Sequence, residues 1–445
     1  MTRPIPLWRS LAVLGATSLT LTACGGSTEP SDTVAPPPVS TETTPAAPAD
    51  TPEPTTEPTE APQQNTGDGT LTIGTLLPQT GSLAFLGPPE FAGVDLAVQE
   101  INKAGGVLGK DIEKFDSDSG DTSTDIASQS VDRLLSQNAD VIIGAASSSV
   151  SLTVIDKITG AGVVHFSPAN TSPDFTTYDD KGLYFRTAPS DVLQGRTLGD
   201  LIISEGNASV GILALQDAYG EGLANNAEKS INSQGGDTVA KVFYDPKAAE
   251  FSAEVSKIKQ QDPDAVVLVG FDESAKVINE LVAQGIGPQE KPLYLVDGNI
   301  GNALGEKLKK GLLEGVQGTL PGAEASQEFR DRLLKVDPKL KDFSYAAESY
   351  DAVILSALAA QAADSDAGAD IAKELVNVSK GGTECTSFEE CKKMLEDGDD
   401  IDYSGVSGPI EFSDAGDPQV ASIGIYTYGP DNKLLAEAEY RQGQL

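Results

Sequence analysis

Residues 71–103 read LTIGTLLPQTGSLAFLGPPEFAGVDLAVQEINK. The stretch 71–77 is an apolar, partly β-branched run of strand length. After a turn marked by Pro78 and Gly81, residues 90–103 place Val94, Ala97, Val98 and Ile101 at three- and four-residue spacing, the period of an amphipathic helix. The alternation continues. Strands are expected at 112–115, 140–144 and 162–166, with helices at 122–137 and 150–159 between them. It restarts after Arg186-Thr187-Ala188-Pro189, with strands at 209–215, 238–243, 265–269 and 292–296 and helices at 192–205, 220–233, 251–260 and 273–284. Short strands separated by helices mean βαβ units and a mostly parallel sheet, built twice. Helices at 326–336 and 344–363 follow, then strands at 408–412, 422–427 and 434–438. A tail that repeats neither half implies that the chain crosses back, so that both lobes are discontinuous.

The expected organisation is a first α/β lobe over 70–188, to which 321–405 returns, and a second over 189–320, to which 406–445 returns. Roughly 376 of the 445 residues remain for folding once the leader and tether are set aside. That exceeds the size at which one hydrophobic core stops growing, about 250–300 residues. With 39% hydrophobic and 22% charged residues, the composition suits a soluble globular protein. A net charge of −36 repels phosphate backbones and anionic lipid, which excludes nucleic acid as a partner.

The ends of the chain set its compartment. Arg3 and Arg9 flank a short n-region, and residues 11–23 are apolar but shorter than the about 20 residues that span a bilayer. The run ends in Leu21-Thr22-Ala23-Cys24, which resembles a bacterial lipoprotein signal. That resemblance implies a signal peptide over 1–23, a lipidated Cys24 and attachment to the outer face of the cell membrane by the anchor alone. Residues 24–68 are rich in Pro, Thr and acid and lack Lys and Arg, so they cannot bury enough apolar surface to offset chain entropy; they read as a disordered tether. Cys385 and Cys391 remain, six residues apart in GGTECTSFEECKK. Outside the cytoplasm such a pair reads as a local disulfide, and no histidine is near enough to suggest metal.

Enzyme motifs fail one by one. PQTGSLAFLG after the first strand lacks G-x-G-x-x-G. AGGVLGKD (104–111) puts Asp111 where a phosphate loop needs Ser or Thr. In DSDSGDTSTD (116–125), Gly120 precedes Asp121 and Ala127 occupies the closing position of a calcium loop, so the run reads as a turn in which Asp121 or Thr122 caps the next helix. Ser147-Ser148-Ser149 lies in no G-x-S-x-G. The one histidine, His165, sits in an apolar run as a core or pocket-wall imidazole. No metal, cofactor or catalytic group is indicated.

The serines have another use. They open the helix after the 140–144 strand, where hydroxyls and free N–H groups suit a carboxylate. Ser167-Pro168-Ala169-Asn170-Thr171 follows the neighbouring strand, and Asp297 follows 292–296. Donors from one half and a carboxylate from the other, all beyond strand carboxyl ends, are what a zwitterion requires. The lesser alternatives are that Tyr219 and Phe271 are core aromatics and Asp297 a helix cap.

At these residues the chain resembles the type I periplasmic (extracytoplasmic) binding proteins of ABC importers, in the branched-chain amino acid-binding (leucine/isoleucine/valine) family. The segments that carry it are PQTGSLAFLG, EFAGVDLAVQEINKAGGVLG, IIGAASSSV, FSPANTSPDFT, QDAYGEGLA and VSGPIEF, which span nearly all of 70–445. The resemblance implies two Rossmann-like α/β lobes joined by multiple hinge crossovers, in the Venus-flytrap arrangement. It also implies that Ser147, Ala169 and Thr171 hold the ligand's α-carboxylate and share its amine, that Tyr219 closes over it, and that Asp297 pairs with the ammonium. Phe271 falls near a second aromatic position, and Phe85 and Leu86 line the side-chain pocket. Leu86 replaces a large aromatic, Phe271 lacks a phenolic OH, and Asp297 is shorter than the common glutamate, which leaves the ligand's side chain open. The implied protein is a monomer with no cofactor. It captures a branched-chain or related small amino acid and delivers it to ABC permease subunits driven by cytoplasmic ATPases. The alternatives are the same fold binding an amide, urea or aromatic carboxylate, or a sensor lipoprotein without transport.

Overall fold

A computed structural model describes residues 64–445; the signal, Cys24 and the tether up to residue 63 lie outside the described residues. The first half runs β1 (Thr72–Leu77), α1 (Gly87–Lys103), β2 (Glu113–Asp118), α2 (Ile126–Ser136), β3 (Val141–Gly144), α3 (Ser148–Gly160), β4 (Val164–Ser167) and β5 (Tyr184–Arg186). The second runs α4 (Asp191–Ser204), β6 (Ser209–Leu215), α5 (Ala218–Ser233), β7 (Asp237–Tyr244), α6 (Ser252–Gln260), β8 (Ala265–Val269), α7 (Ser274–Ala283), β9 (Leu293–Leu295), α8 (Asn302–Lys307) and β10 (Gln317–Pro321). Then come α9 (Gln327–Val336), α10 (Ala346–Ala363), α11 (Gly368–Val378), β11 (Thr383–Cys385), α12 (Phe388–Asp397), β12 (Ile401–Gly405), β13 (Gly408–Pro409), β14 (Val420–Thr427) and β15 (Glu439–Gln444).

The strands form two large sheets. One has the order β2-β1-β3-β4-β5, all parallel. The other has β7-β6-β8-β9-β10 in the same relative order and adds β14 and β15 antiparallel at the β10 edge. The match between halves follows from the repeated βαβ unit, whose right-handed crossovers admit few orders. Central strands are buried on both faces, which is why they read as continuous apolar runs: Ile73, Leu76 and Leu77 of β1 have essentially no exposure. Each such side chain contributes about 1.5–3 kcal/mol by leaving water.

The chain passes between the sheets after β5, after β10 and after β13. Helix α10, buried on all sides from Ala346 to Ala360, packs with α1 against the first sheet, and Phe329, Tyr403 and Phe412 join Phe166 and Phe185 in that core. A small sheet, β11-β12-β13, sits beside it, and a disulfide joins Cys385 to Cys391 across the β11–α12 junction.

Several expected bounds shift. The helix after the acidic run starts at Ile126, not 122, because Asp118 and Asp121 hold the preceding turn: Asp118 accepts the N–H groups of Gln79, Thr80 and Gly120, and Asp121 that of Ser123. Neither Asp121 nor Thr122 caps that helix; Asp125 occupies the cap position. The last strand is β15, not 434–438. Leu434 makes only an isolated bridge to Tyr428, and the pairing with β14 is made by the polar edge run that follows. His165 is fully buried, its ring nitrogens without a hydrogen-bond partner among the described residues, edge-on to Tyr184, and burial pulls its pKa down to about 4.

The third crossover is clamped by an ion pair. Arg186, fully buried, donates Nε to Asp417 Oδ1 at 2.6 Å and Nη1 to the carbonyl oxygens of Asn170 and Ser172. Removing one partner leaves a buried charge alone. Asp417→Ala should therefore lose about 3–5 kcal/mol of stability, read as a lower urea midpoint.

Two buried carboxyls give a second expectation. Burial pushes Glu348 up to about 8, and burial with neighbouring Asp366 and Asp68 raises Asp140 to about 7. In the unfolded chain both are ionised by pH 6.5, so the folded state holds more protons and its stability falls as pH rises through these values. His165 acts only below about 6.5, its unperturbed pKa. Melting temperature should drop between roughly pH 6.5 and 8.5, and Glu348→Gln should flatten the profile in scanning calorimetry.

Candidate functional site

All but one element of the site follow the carboxyl end of a parallel strand, the exception being Tyr345 just ahead of α10. Leu83, Phe85 and Leu86 come after β1, Ala146–Ser148 after β3, Ala169 after β4, Tyr219 after β6, Phe271 after β8, and Asp297 after β9. Backbone groups at these ends leave the ladder and are free to meet a ligand, and the two sheets turn these ends toward each other. Between them lies a small cavity, about 10 Å³, which is room for about one water molecule. Its polar side is Ser147, Ser148, Tyr219, Asp297 and Tyr345, and its apolar side Leu83, Leu86, Ala146, Ala169 and Phe271.

The three serines divide their work. Ser147 is the N-cap of α3, its hydroxyl accepting from Val150 N at 3.4 Å. Ser148 Oγ accepts from Ser172 N at 3.2 Å, tying α3 to the loop after β4. Ser149 faces away from the cavity, toward α5. The first-turn N–H groups of α3 have no intrahelical partner and carry the positive end of the helix dipole, so the cavity wall at Ser147–Ser148 favours an anion. The loop after β4 is held from beneath. Ser167 Oγ donates to Ala145 O and accepts from Ala169 N and Asn170 N, while Asn170 Nδ2 donates to Ala145 O and Ala146 O at 2.9 Å each.

Opposite stands Asp297, 5% exposed. Its Oδ1 accepts from Tyr219 OH at 2.7 Å and Gln194 Nε2 at 2.8 Å, and its Oδ2 from Tyr345 OH at 2.8 Å. Burial raises its pKa and these three donors pull it back. Asp297 caps no helix, since α8 begins from Gly301. Tyr219 stacks on Phe271 with ring centroids 5.4 Å apart at 11°. Both rings belong to the second lobe's core and also line the cavity.

Behind Asp297 is a set of buried acceptors without donors among the described residues: both oxygens of Asp191, Gln194 Oε1 and Thr171 Oγ1. Asp191 is pushed well up by burial, then by the charge of Asp297. Thr171 thus lies next to the cavity, not on its lining, and its carbonyl accepts Asp191 N at 2.7 Å. Phe85 lines an adjoining cavity with Phe271, Ala303 and Leu304.

Sequence reasoning missed Tyr345, Gln194 and Asp191. Tyr345 precedes α10 with its backbone in the left-handed region, φ 59°, and no motif surrounds it. Asp191 and Gln194 carry a legible signal, polar residues three apart on the first turn of a helix that starts directly after Ser190, but their meeting with Asp297 is set by the tertiary fold.

A family-level profile described as periplasmic binding protein matches residues 70–398. The chain is 31% identical over 208 residues to Leu/Ile/Val-binding protein homolog 3 of Brucella melitensis biotype 1, covering 45% of this chain and 54% of that relative. It is 26% identical over 372 residues to Leu/Ile/Val-binding protein homolog 1 of Brucella abortus, covering 81% of this chain and 91% of that one. Among solved structures, the substrate-binding protein LivJ of a Streptococcus pneumoniae branched-chain amino acid transporter, in complex with isoleucine, superposes with TM-score 0.69 at 24% identity, covering 84% of this chain and 100% of the other. A solute-binding protein of an R. palustris ABC transporter, in complex with 4-hydroxybenzoate, gives 0.70 at 16% identity, with coverage of 84% and 98%. Among the described residues no helix is long and apolar enough to cross a membrane. The fold is that of the type I binding proteins, and the chain is a solute-binding protein rather than an enzyme: it belongs to the periplasmic binding protein family.

Proposed function

We propose that this chain captures a small amino acid, branched-chain or related, as its zwitterion between the two lobes. The observation that carries the reading is the pairing of opposite chemistries in one cavity: a helix N-terminus at Ser147–Ser148 from one lobe and the buried carboxylate of Asp297 from the other. A ligand carboxylate would lie at the α3 N-terminus beside Ala169. Its ammonium would face Asp297. The side chain would lie against Leu83, Leu86 and Phe271. With water excluded between closed lobes, both charge pairs strengthen. The protein would then deliver its ligand to an ABC permease with cytoplasmic ATPases, working as a monomer held to the outer face of the membrane through lipidated Cys24 and a tether shorter than the expected 24–68, since Asn65 and Asp68 are hydrogen-bonded to the folded part. Relatives named as Leu/Ile/Val-binding proteins support the amino acid reading.

One observation favours a second reading, an aromatic carboxylate. Asp297 already accepts three side-chain hydrogen bonds, so a ligand without an ammonium would leave it satisfied. The similar R. palustris structure holds such a ligand.

Dye-based thermal shift with the twenty L-amino acids, urea, short amides and aromatic acids separates the two. At a ligand concentration 100-fold above its Kd, stabilisation should reach about 2.7 kcal/mol, a rise of a few degrees. Amino acids alone are expected to respond, and Asp297→Ala should abolish the heat of binding in calorimetry. A response confined to aromatic acids, or unchanged affinity in Asp297→Ala, would replace the first reading with the second.

A further inference from the structure

The lobes meet at a contact that does not belong to the cavity. On the first turn of α3, Ser149 Oγ donates to Asp217 Oδ2 at 3.0 Å, and the same oxygen accepts from Ala218 N at 3.2 Å. Asp217 is the N-cap of α5, and its Oδ1 accepts from Gly220 N at 2.8 Å. One carboxylate therefore caps its own helix and receives a hydroxyl from the opposite lobe, while that hydroxyl takes up one of the N–H groups that α5 cannot satisfy internally. The pairing is reciprocal and joins two helix N-termini that face each other. Just beyond it, Gly222 lies against Pro173 of the first lobe: a Cβ there would come within 2.7 Å of Pro173 Cδ. The absence of a side chain at 222 is what lets α5 approach. Neither Ser149 nor Asp217 lines the inner cavity, yet Ser147, Ser148 and Tyr219, two or fewer residues away, do. Asp217 and Ser147 also border the larger space between the lobes that opens outward from the cavity, so the contact stands beside the way out.

We propose that Ser149 and Asp217 form a latch that holds the lobes closed and sets how long the ligand stays, without touching it; this rests on reading the cleft as the ligand site. Capture takes place from open lobes, where the link is not yet made, and escape must break it, so the latch acts on release more than on capture. Ser149 and Asp217 are positioning residues, working through the segments that carry Ser147 and Tyr219.

The test uses the full chain loaded with radiolabelled L-isoleucine and chased with unlabelled ligand. Ser149→Ala should release it about tenfold faster, the worth of one charge-assisted hydrogen bond between lobes, with the association rate within about twofold of the parent. Ser149→Thr keeps the hydroxyl and should stay within about threefold of the parent. Combined with Asp217→Asn, Ser149→Ala should add little, since both remove the same link. An unchanged release rate in Ser149→Ala, or equally fast release from Ser149→Thr, overturns the latch. If the parent takes up no amino acid, the ligand reading fails by itself. X-ray scattering of the ligand-free chain then decides: a larger radius of gyration for Ser149→Ala than for the parent upholds the latch, and identical curves overturn it.

Discussion

A carboxylate that leaves water must be met by donors, and among the described residues no cation supplies them at Asp297. Two tyrosine hydroxyls and one glutamine amide do so instead, and they come from far apart in the chain: Gln194 from α4, Tyr219 from α5, Tyr345 from the approach to α10. That requirement organises the cleft. It fixes the ring of Tyr219 and hence the face against which Phe271 stacks. It ties α10, which packs on the first sheet, to a residue at the end of a strand in the second. The negative centre stays opposite the α3 N-terminus, so the cavity has a direction before any ligand enters.

The same physics recurs without a ligand role. Glu90 and Glu348, on the first turns of α1 and α10, are buried close enough for the charge of Glu348 to add to the desolvation that raises Glu90, and both Glu90 oxygens lack a partner among the described residues. A strongly acidic chain has few cations to spare for its interior. Protons and hydroxyls take their place, except at Arg186, where guanidinium and carboxylate pair in full burial.

Much of this was legible in the sequence for a local reason. A strand of a parallel sheet and the helix after it are each read from their own residues, so β1, α1, β6 and β8 stood out as apolar runs and periodic stretches. The segments carrying Ser147, Ala169, Tyr219 and Asp297 follow from the strand ends that present them. What could not be read depends on contacts distant in sequence. Tyr345 has no motif because its function is defined by a partner 48 residues away. Strand β15 was misplaced because an edge strand is chosen by the free hydrogen-bonding edge of β14, not by its own apolar content. The split among Ser147, Ser148 and Ser149 was invisible because all three share one hydroxyl chemistry and differ only in what the helix turn aims them at.

The clamp between Arg186 and Asp417 has a consequence for the order in which the molecule is made. Its partners are 231 residues apart. A chain that emerges N-terminus first presents the strands of its first sheet, and a guanidinium that must end up without water, long before the carboxylate that neutralises it has been synthesised. The first lobe therefore cannot finish as an independent unit while the second is still arriving. Its edge at β5 stays open to solvent until the segment around Asp417 returns, so a late part of the chain completes an early one.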